Sequence, residues 1–391
     1  MTESVTATND ILPSQRHLFD IARSVVYCNA AYMTPWPTAF RNIAARAAEE
    51  RLHPWETGAE GFFAMSEEVR GLAARLFGAT SEHIAIHPAL SYSVATAARN
   101  LPIAKGQTIL TLGEEFPSNY YGWARRAEET GARVRILSGT PEGDWTARVL
   151  AAIDEEGERI ALAALPHVHW ASGSRLDLVT ISRALKEVGA ALFLDLSQSL
   201  GALPAPISEI DPDFAGTVGY KWLFGPYALG FCYVAERWWD GVPLEENWIV
   251  RAEAQDFRRL VHYREEYAPG ARRYDMGERT QFLAMPLARA ALKLVHEWSP
   301  ERTARTLGRL SERLIARLQE AGFQATPAEW RSPHLFAARH PDHGAADLVA
   351  RWNALGLKVS ARGDWIRIAP HLWIDSEDEE RFARIIADLP V

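Results

Sequence analysis

Both the fold and the chemistry of this chain are indicated by one stretch, which reads AALFLDLSQSLGALP over residues 190–204 and FAGTVGYKWLFGPYALGFCYV over residues 214–234. An uninterrupted apolar run leads directly into Asp195, and such runs are typical of a strand that is covered on both faces. In an open α/β sheet, ligands bind beyond the carboxyl ends of the strands, where Asp195 would lie. Lys221 follows the next short apolar run and has aromatic neighbours. We therefore expect Asp195 and Lys221 to face one crevice.

Short apolar runs alternate with amphipathic segments along the first two thirds of the chain. In residues 61–77, apolar side chains recur at spacings of three and four, which predicts a helix with one apolar stripe. Segments 119–129 and 176–188 follow the same pattern. Strands that alternate with helices predict an α/β fold with a mostly parallel sheet and right-handed crossovers. The predicted strands are 84–87, 108–112, 133–137, 160–165, 190–194, 214–217 and 229–234.

The strict alternation ends after about residue 245, and a second, smaller α+β domain is expected there. Its predicted parts are two long helices, three short strands and a terminal helix. We therefore predict an N-terminal arm (1–24), a large domain (25–260) and a small C-terminal domain (261–391) that includes the long linking helix. The helices are expected at 281–299, at 300–321 and from 376, and the strands near 335–338, 358–360 and 365–368.

The composition excludes several functional classes. The net charge of −8 argues against a nucleic-acid partner, since such domains carry a basic surface. The sequence contains no apolar run of the ~18 residues that a membrane span requires, and its start lacks a secretory signal pattern. Only two cysteines occur, Cys28 and Cys232, which argues against a disulfide framework and fits a reducing cytoplasm. His167 and His169 lack further ligands at metal spacing, so no metal site is expected.

A lysine and a carboxylate in this arrangement suit pyridoxal 5′-phosphate (PLP). A lysine amine forms an imine with the PLP aldehyde. A carboxylate beside the pyridine nitrogen raises the pKa of that nitrogen, and the protonated ring then accepts electrons from a substrate carbanion. Taken singly, a strand-end aspartate such as Asp195 is also a common helix cap, and a lysine such as Lys221 is often a surface charge. Their combination favours the PLP site.

The motif DxxQSxGALP, followed by GYKWLxGPxxxGF, resembles the aminotransferase class V family of fold-type I PLP enzymes. That family includes cysteine desulfurases, isopenicillin N epimerase-like proteins and kynureninase. The resemblance extends from YCNAAYMTPWP at residues 27–37 to IRIAPHLW at residues 366–373. It implies a fold-type I enzyme that acts on an amino acid, and a homodimer with its active site at the interface.

The resemblance also assigns residues to the cofactor. The backbone of Leu90 and the Ser91 side chain would bind the phosphate at a helix N-terminus. Ser91 could instead serve only as the helix N-cap. Phe116 in FPSN matches the stacking phenylalanine of kynureninase, where desulfurases carry a histidine, although it could equally be a core residue. Gln198 would lie near the phenolic oxygen, and Tyr220 would reach the phosphate.

The substrate residues implied by the resemblance lie in three segments. Arg367 aligns with the arginine that binds the substrate α-carboxylate, a task that suits a guanidinium because its fork meets both oxygens. A solvated strand arginine is the alternative, and Arg362 is a weaker second candidate. His169 and Trp170 are expected as pocket walls, and Asn29 is expected to contact the substrate.

Two segments depart from the family pattern. The loop SARGD at residues 360–364 has no cysteine where desulfurases carry one, which disfavours a cysteine persulfide route. The Gly-Thr-Pro segment, through which a neighbouring subunit contacts the phosphate, is replaced by Gly, Glu278, Arg279 and Thr280. Whether this segment touches the phosphate, and whether Arg279 compensates for the lost threonine, stays open.

The sequence leaves several reactions open. Transamination is favoured because the family name covers it and no special nucleophile is visible. Lysis of a C–S or C–C bond is the close alternative, because FPSN and GYK resemble kynureninase, and epimerisation is also possible. A PLP-binding regulator or carrier without turnover is the non-enzymatic alternative. The tryptophan and tyrosine content of the expected pocket favours an aromatic or bulky substrate, although tryptophan is also common packing material.

Overall fold

The computed structural model describes residues 11–139 and 143–389. A seven-stranded sheet forms the centre, in the order β2-β8-β7-β6-β5-β3-β4. Strand β8 runs antiparallel to both of its neighbours, and the other adjacent pairs are parallel. The predicted mostly parallel α/β sheet is therefore confirmed. Its strands are β2 (Ile84–His87), β3 (Thr108–Leu112), β4 (Arg133–Leu137), β5 (Ile160–Pro166), β6 (Ala191–Asp195), β7 (Phe214–Val218) and β8 (Gly230–Val234).

A smaller sheet follows later in the chain, and its four strands are antiparallel in the order β12-β13-β10-β9. A two-residue strand near the start, β1, pairs in parallel with β11. The early chain is thus joined to the late part of the sequence. These strands are β1 (Val26–Tyr27), β9 (Gln324–Ala325), β10 (Phe336–Arg339), β11 (Leu357–Lys358), β12 (Ser360–Arg362) and β13 (Trp365–Ile368).

The helices of the described residues cover the sheets, and none of them is both long and apolar enough to cross a bilayer. Two of them, α8 and α9, follow each other directly, as the sequence predicts for residues 281–299 and 300–321. The helices are α1 (Phe40–Glu50), α2 (Ala64–Leu76), α3 (Leu90–Asn100), α4 (Tyr121–Thr130), α5 (Trp145–Glu156), α6 (Leu178–Glu187), α7 (Ile207–Ile210), α8 (Ala284–Trp298), α9 (Pro300–Glu320), α10 (Ala345–Ala354) and α11 (Ser376–Ile386).

The part of the predicted N-terminal arm that the structure describes, residues 11–24, is packed against the protein. Leu12 and Phe19 are buried, and the buried guanidinium of Arg16 donates a hydrogen bond to the Asp378 carboxylate in α11. Residues 1–10, on which part of the secretory-signal interpretation depends, lie outside the described residues. The domain boundaries at residues 24 and 260 stay predictions.

The close packing of α3 on β7 places a helix N-terminus beside the strand that leads to Lys221. Gly216 in β7 makes this approach possible. A Cβ atom at Gly216 would lie 2.7 Å from the Ser93 Cβ and 2.9 Å from the Leu90 Cδ1. Real side chains do not tolerate such contacts without movement, so any larger residue at this position would push α3 away from the sheet.

Candidate active site

Asp195 and Lys221 are brought together by two adjacent strands. Asp195 is the last residue of β6 and pairs with Gly216 of β7, and Lys221 lies three residues beyond the end of β7. Both side chains are only 6% exposed, and their charges lie close enough to affect each other's pKa. The Thr34 hydroxyl donates to the Lys221 carbonyl at 2.8 Å and so fixes the backbone at the lysine. The pair predicted from the sequence thus shares one site.

The environment of Lys221 favours the neutral amine. The pKa of Lys221 is lowered to about 8, mainly by burial, with smaller contributions from the charges of Arg367 and Arg362, while Asp195 opposes the shift. A neutral amine is the form that attacks a carbonyl carbon or accepts a proton. The site therefore prepares this lysine for covalent and acid–base chemistry near neutral pH.

Asp195 is a buried carboxylate at the end of β6. Its Oδ1 accepts a hydrogen bond from the Ser197 amide at 2.8 Å. Burial raises the pKa of Asp195, and hydrogen bonding to Ser197 together with the Lys221 charge opposes that rise. A buried carboxylate is costly unless it is paired, so a cationic N–H donor beside it would be stabilised.

An aromatic wall stands beside the lysine. The Nζ atom of Lys221 lies 5.3 Å from the centre of the Phe116 ring and 5.8 Å from that of Tyr220. The Phe116 ring in turn meets the edge of Trp170, with ring centres 5.5 Å apart. Phe116 therefore lies beside Lys221 and presents an apolar surface on which a flat ring could stack.

The N-terminus of α3 supplies amide groups rather than a side-chain cap. The helix begins at Leu90, and its N-cap residue is Ala89, which has no side-chain oxygen. The interpretation of Ser91 as the N-cap is therefore wrong, because Ser91 already lies in the first turn, where its side chain is exposed. The first amides of a helix have no intrahelical acceptor, and this terminus suits an anion such as a phosphate.

Gln198, which is predicted to lie near the cofactor, already makes hydrogen bonds within the protein. The Oε1 atom of Gln198 accepts from the Trp222 indole at 2.9 Å, and its Nε2 donates to the Ala31 carbonyl at 3.2 Å. One Nε2 hydrogen of Gln198 remains for a ligand, since a primary amide has two. Gln198 can therefore offer a ligand one further N–H donor.

His169 does not reach the site as a pocket wall. Its ring is fully buried and stacks on Trp145, with ring centres 5.5 Å apart. Its Nε2 lies 3.2 Å from the Gly113 carbonyl, and its Nδ1 accepts from Ser172. Neither ring nitrogen is left for a substrate, so the expected contact fails because this side chain turns into the protein. Its neighbour Trp170 turns the other way.

The arginine predicted to bind carboxylate is held at the site by polar contacts. Arg367 is 2% exposed, and its Nη1 donates to the Trp170 carbonyl at 3.0 Å. Its Nη2 lies 3.4 Å from the Asn29 Oδ1, and its Nε has no partner among the described residues. The pKa of Arg367 is lowered to about 9, first by burial and then by the nearby charge of Arg362. Arg367, Asn29 and Trp170 therefore form one group.

The segment that replaces the Gly-Thr-Pro pattern is bound inside its own chain. The Arg279 guanidinium is buried and forms an ion pair with Asp275 at 3.1 Å. The Thr280 hydroxyl donates to the Phe62 carbonyl at 2.5 Å. Glu278, which directly precedes Arg279, takes a positive φ of 57°. The Arg279 guanidinium is thus already paired with a carboxylate of its own chain.

The sequence model described as aminotransferase class V matches residues 50–366. The chain belongs to this family. Its relatives include YcbU of Bacillus subtilis, an uncharacterized aminotransferase that is 24% identical over 81% of this chain and 82% of the relative. A kynureninase of Xanthomonas oryzae pv. oryzae is 29% identical over 84% of this chain and 83% of that protein.

Solved structures with the same fold include a cysteine desulfurase from Thermococcus onnurineus, with a TM-score of 0.81 at 18% identity over 96% of this chain and 98% of that chain. A mutant of C-DES with glycine covalently linked to its PLP cofactor has a TM-score of 0.82 at 20% identity, and covers 96% of this chain and 99% of that chain. These similarities establish the fold-type I architecture.

As a member of the aminotransferase class V family, the protein is a PLP-dependent enzyme that acts on amino acids. The residues present fit the cofactor. The buried carboxylate of Asp195 suits a protonated ring nitrogen, the uncapped start of α3 suits a phosphate, and Phe116 suits the ring face. When bound, PLP supplies an electron sink for a carbanion at the substrate Cα.

Glu115 is a site residue that the sequence analysis missed. Its carboxyl is buried, and its Oε1 accepts from the Phe116 amide at 2.6 Å. Burial raises the pKa of Glu115 to about 8, and the neighbouring charge of Asp195 raises it too. A signal was available, because Glu115 directly precedes Phe116 after strand β3, at the sheet edge that holds the site. Only the burial, however, indicates that this carboxyl keeps its proton.

We expect Glu115→Gln to stabilise the protein increasingly as the pH rises. In the unfolded chain this carboxyl ionises near pH 4.5, whereas in the folded protein it keeps its proton until about pH 8. The folded state therefore loses stability between these values, by at most about 1.4 kcal/mol per pH unit. Urea unfolding of the cofactor-free protein from pH 5 to 9 measures the difference.

The matched control is Glu114→Gln, because Glu114 is exposed and precedes Glu115 directly. This control is expected to change the free energy of unfolding little. A stability difference between Glu115→Gln and the parent protein that stays constant from pH 5 to 9 would show that Glu115 is ionised in the folded protein.

Proposed function

We propose that the protein is an amino-acid aminotransferase in which Lys221 moves the proton at the substrate Cα. The observation that carries this proposal is the buried amine of Lys221, whose pKa is lowered to about 8 and whose charge interacts with those of Asp195 and Arg367. A base with a pKa near the working pH transfers protons efficiently in both directions. Transamination requires both directions, because the proton removed from Cα is returned to another carbon.

Each of the other residues has a proposed task in this reaction. Arg367 binds the substrate α-carboxylate through its fork, and Asn29 orients that fork through its Oδ1. Asp195 holds the proton on the pyridine nitrogen, and Phe116 covers the ring face. The first amides of α3, at Leu90 and Ser91, bind the phosphate, and Tyr220 and Gln198 complete the cofactor contacts.

A lyase that breaks a C–S or C–C bond is the second candidate. The kynureninases among the relatives support it, as does the aromatic stacking residue Phe116 beside Lys221. A desulfurase route through a cysteine persulfide is not supported, since both Cys28 and Cys232 are fully buried. Burial raises the pKa of Cys232 to about 12 and that of Cys28 further still, so neither supplies a thiolate nucleophile.

We propose a homodimer whose interface borders the site. Tyr32 is 60% exposed and Tyr227 is 69% exposed, and Tyr227 packs against Tyr220 with ring centres 4.7 Å apart. Large apolar side chains left exposed beside an active site are typical of an interface between subunits. Sedimentation equilibrium is expected to give twice the monomer mass, and a monomeric mass would contradict this assignment.

The two unpaired cysteines support the cytoplasm as the location.

Lys221→Ala should eliminate the covalent attachment of PLP. Borohydride reduction of the wild-type holoenzyme is expected to fix the cofactor on the peptide that contains Lys221, where mass spectrometry can locate it. The variant should show no such modified peptide, because no other amine occupies this position. Lys186→Ala is the control, since Lys186 forms a surface ion pair with Asp211. Cofactor fixed to another lysine in wild-type protein would overturn the assignment.

A panel of L-amino acids, with and without a 2-oxo acid acceptor, tests the reaction itself. We expect the donor to yield its 2-oxo acid in the same amount as the acceptor yields an amino acid, and only when both are present. Ammonia or pyruvate formed without an acceptor would instead establish the lyase, and the D-enantiomer would establish epimerisation. A cofactor spectrum that no amino acid changes would favour a PLP-binding regulator or carrier.

A further inference from the structure

Two arginines meet at the substrate side of the site. The guanidinium carbons of Arg362 and Arg367 lie 5.1 Å and 5.9 Å from the centre of the same Trp170 ring. Both charges act on Lys221, since each lowers the pKa of its amine. The Trp170 indole is held in place by a hydrogen bond of 2.6 Å to the Glu114 carbonyl. The two guanidinium groups thus lie near one indole, which is held in place close to Lys221.

Sheet register places the two arginines side by side rather than on top of each other. Strands β12 and β13 are antiparallel, with Ser360 opposite Arg367 and Arg362 opposite Trp365. Arg362 is two residues from Ser360 and therefore points to the same face of the sheet as Arg367. Such diagonal neighbours are separated by roughly 7–8 Å at the backbone. This spacing suits two separate anionic groups better than one shared carboxylate.

Neither arginine has an acidic partner among residues 11–139 and 143–389. Arg367 contacts only the Asn29 amide oxygen and the Trp170 carbonyl, and Arg362 donates to the carbonyl of its own neighbour, Ala361. The Nε atoms of both arginines are buried and lack a hydrogen-bond acceptor. The described part of the chain pairs most of its other buried arginines, such as Arg70 with Asp275. Arg367 is buried and Arg362 is partly buried. A guanidinium removed from water without an anion is unfavourable, which indicates that a ligand supplies the anions.

From this arrangement we infer that the substrate is an amino acid with a carboxylate side chain, whose α-carboxylate binds Arg367 and whose side-chain carboxylate binds Arg362. This inference rests on the proposed function, because it uses the same site and the same α-carboxylate contact. It differs from the aromatic substrate that the sequence favours. The Trp170 indole already makes cation–π contacts with both guanidinium groups.

The test compares acidic amino acids with their uncharged isosteres. Wild-type holoenzyme is assayed with L-aspartate, L-asparagine, L-glutamate and L-glutamine, and kcat/KM is measured for each. We expect at least one acidic amino acid to exceed its amide by roughly 10- to 100-fold, since a hydrogen bond to a charged group contributes about 1.5–3 kcal/mol. Equal values for acid and amide would overturn the inference.

The Arg362→Gln variant separates recognition from a general effect. Its acid-to-amide ratio of kcat/KM should fall at least tenfold, because the amide side chain of glutamine does not carry the charge that pairs with a carboxylate. Arg362→Lys is expected to restore part of the ratio. The matched control is Arg351→Gln on α10, whose ion pair with Asp388 lies on the surface. That control should leave the ratio unchanged.

The outcomes distinguish this inference from the proposed function. If no amino acid of the panel reacts with the wild-type enzyme, the proposed function fails. If amino acids react but Arg362→Gln lowers all of them equally, Arg362 has a structural role and the inference fails. Sedimentation of each variant identifies a loss of the dimer, and an equal loss of activity with such dissociation would assign Arg362 to the interface instead.

Discussion

The chemistry of this protein depends on the burial of a lysine amine opposite a carboxylate at one edge of a sheet. Removing the Lys221 charge from water is unfavourable, and the neighbouring Asp195 offsets only part of that penalty. The amine therefore releases its proton near neutral pH. The strand pairing that places Asp195 beside Gly216 keeps the two groups together, so the reactivity of the lysine follows from the sheet itself.

The site carries an excess of positive charge. Arg362 and Arg367 stand without acidic partners among the described residues, and the uncapped start of α3 adds the positive end of a helix dipole. Asp195 supplies a negative charge, whereas Glu115 keeps its proton up to about pH 8 and supplies none below that pH. Such an imbalance suits ligands that carry several anionic groups, which a phosphate cofactor and an amino-acid substrate both do.

Much of this could be predicted from the sequence, and the residues that could not share one property. The seven strands of the large sheet were predicted to within one residue at each end, because most of them are short apolar runs. By contrast, the alternative in which Ser91 serves only as the helix N-cap is wrong, because the N-cap is Ala89 and the helix begins at Leu90. His169 turns into the protein, whereas Trp170 faces the site. Helix α1 was not predicted, since only Phe40 and Ala47 are buried on it. A local sequence pattern does not show where a helix begins to within one residue, or which of two adjacent side chains points towards the site.

The sequence by itself determined the fold class, the cofactor and the pair formed by Asp195 and Lys221, because periodic burial and motif spacing are local properties of the chain. Only the tertiary structure decided which charges are compensated. That Glu115 is protonated, and that Arg362 and Arg367 share one indole without an acid, depends on segments far apart in sequence. Burial and Coulomb interactions act through space, so they become defined only when the folded chain fixes the distances.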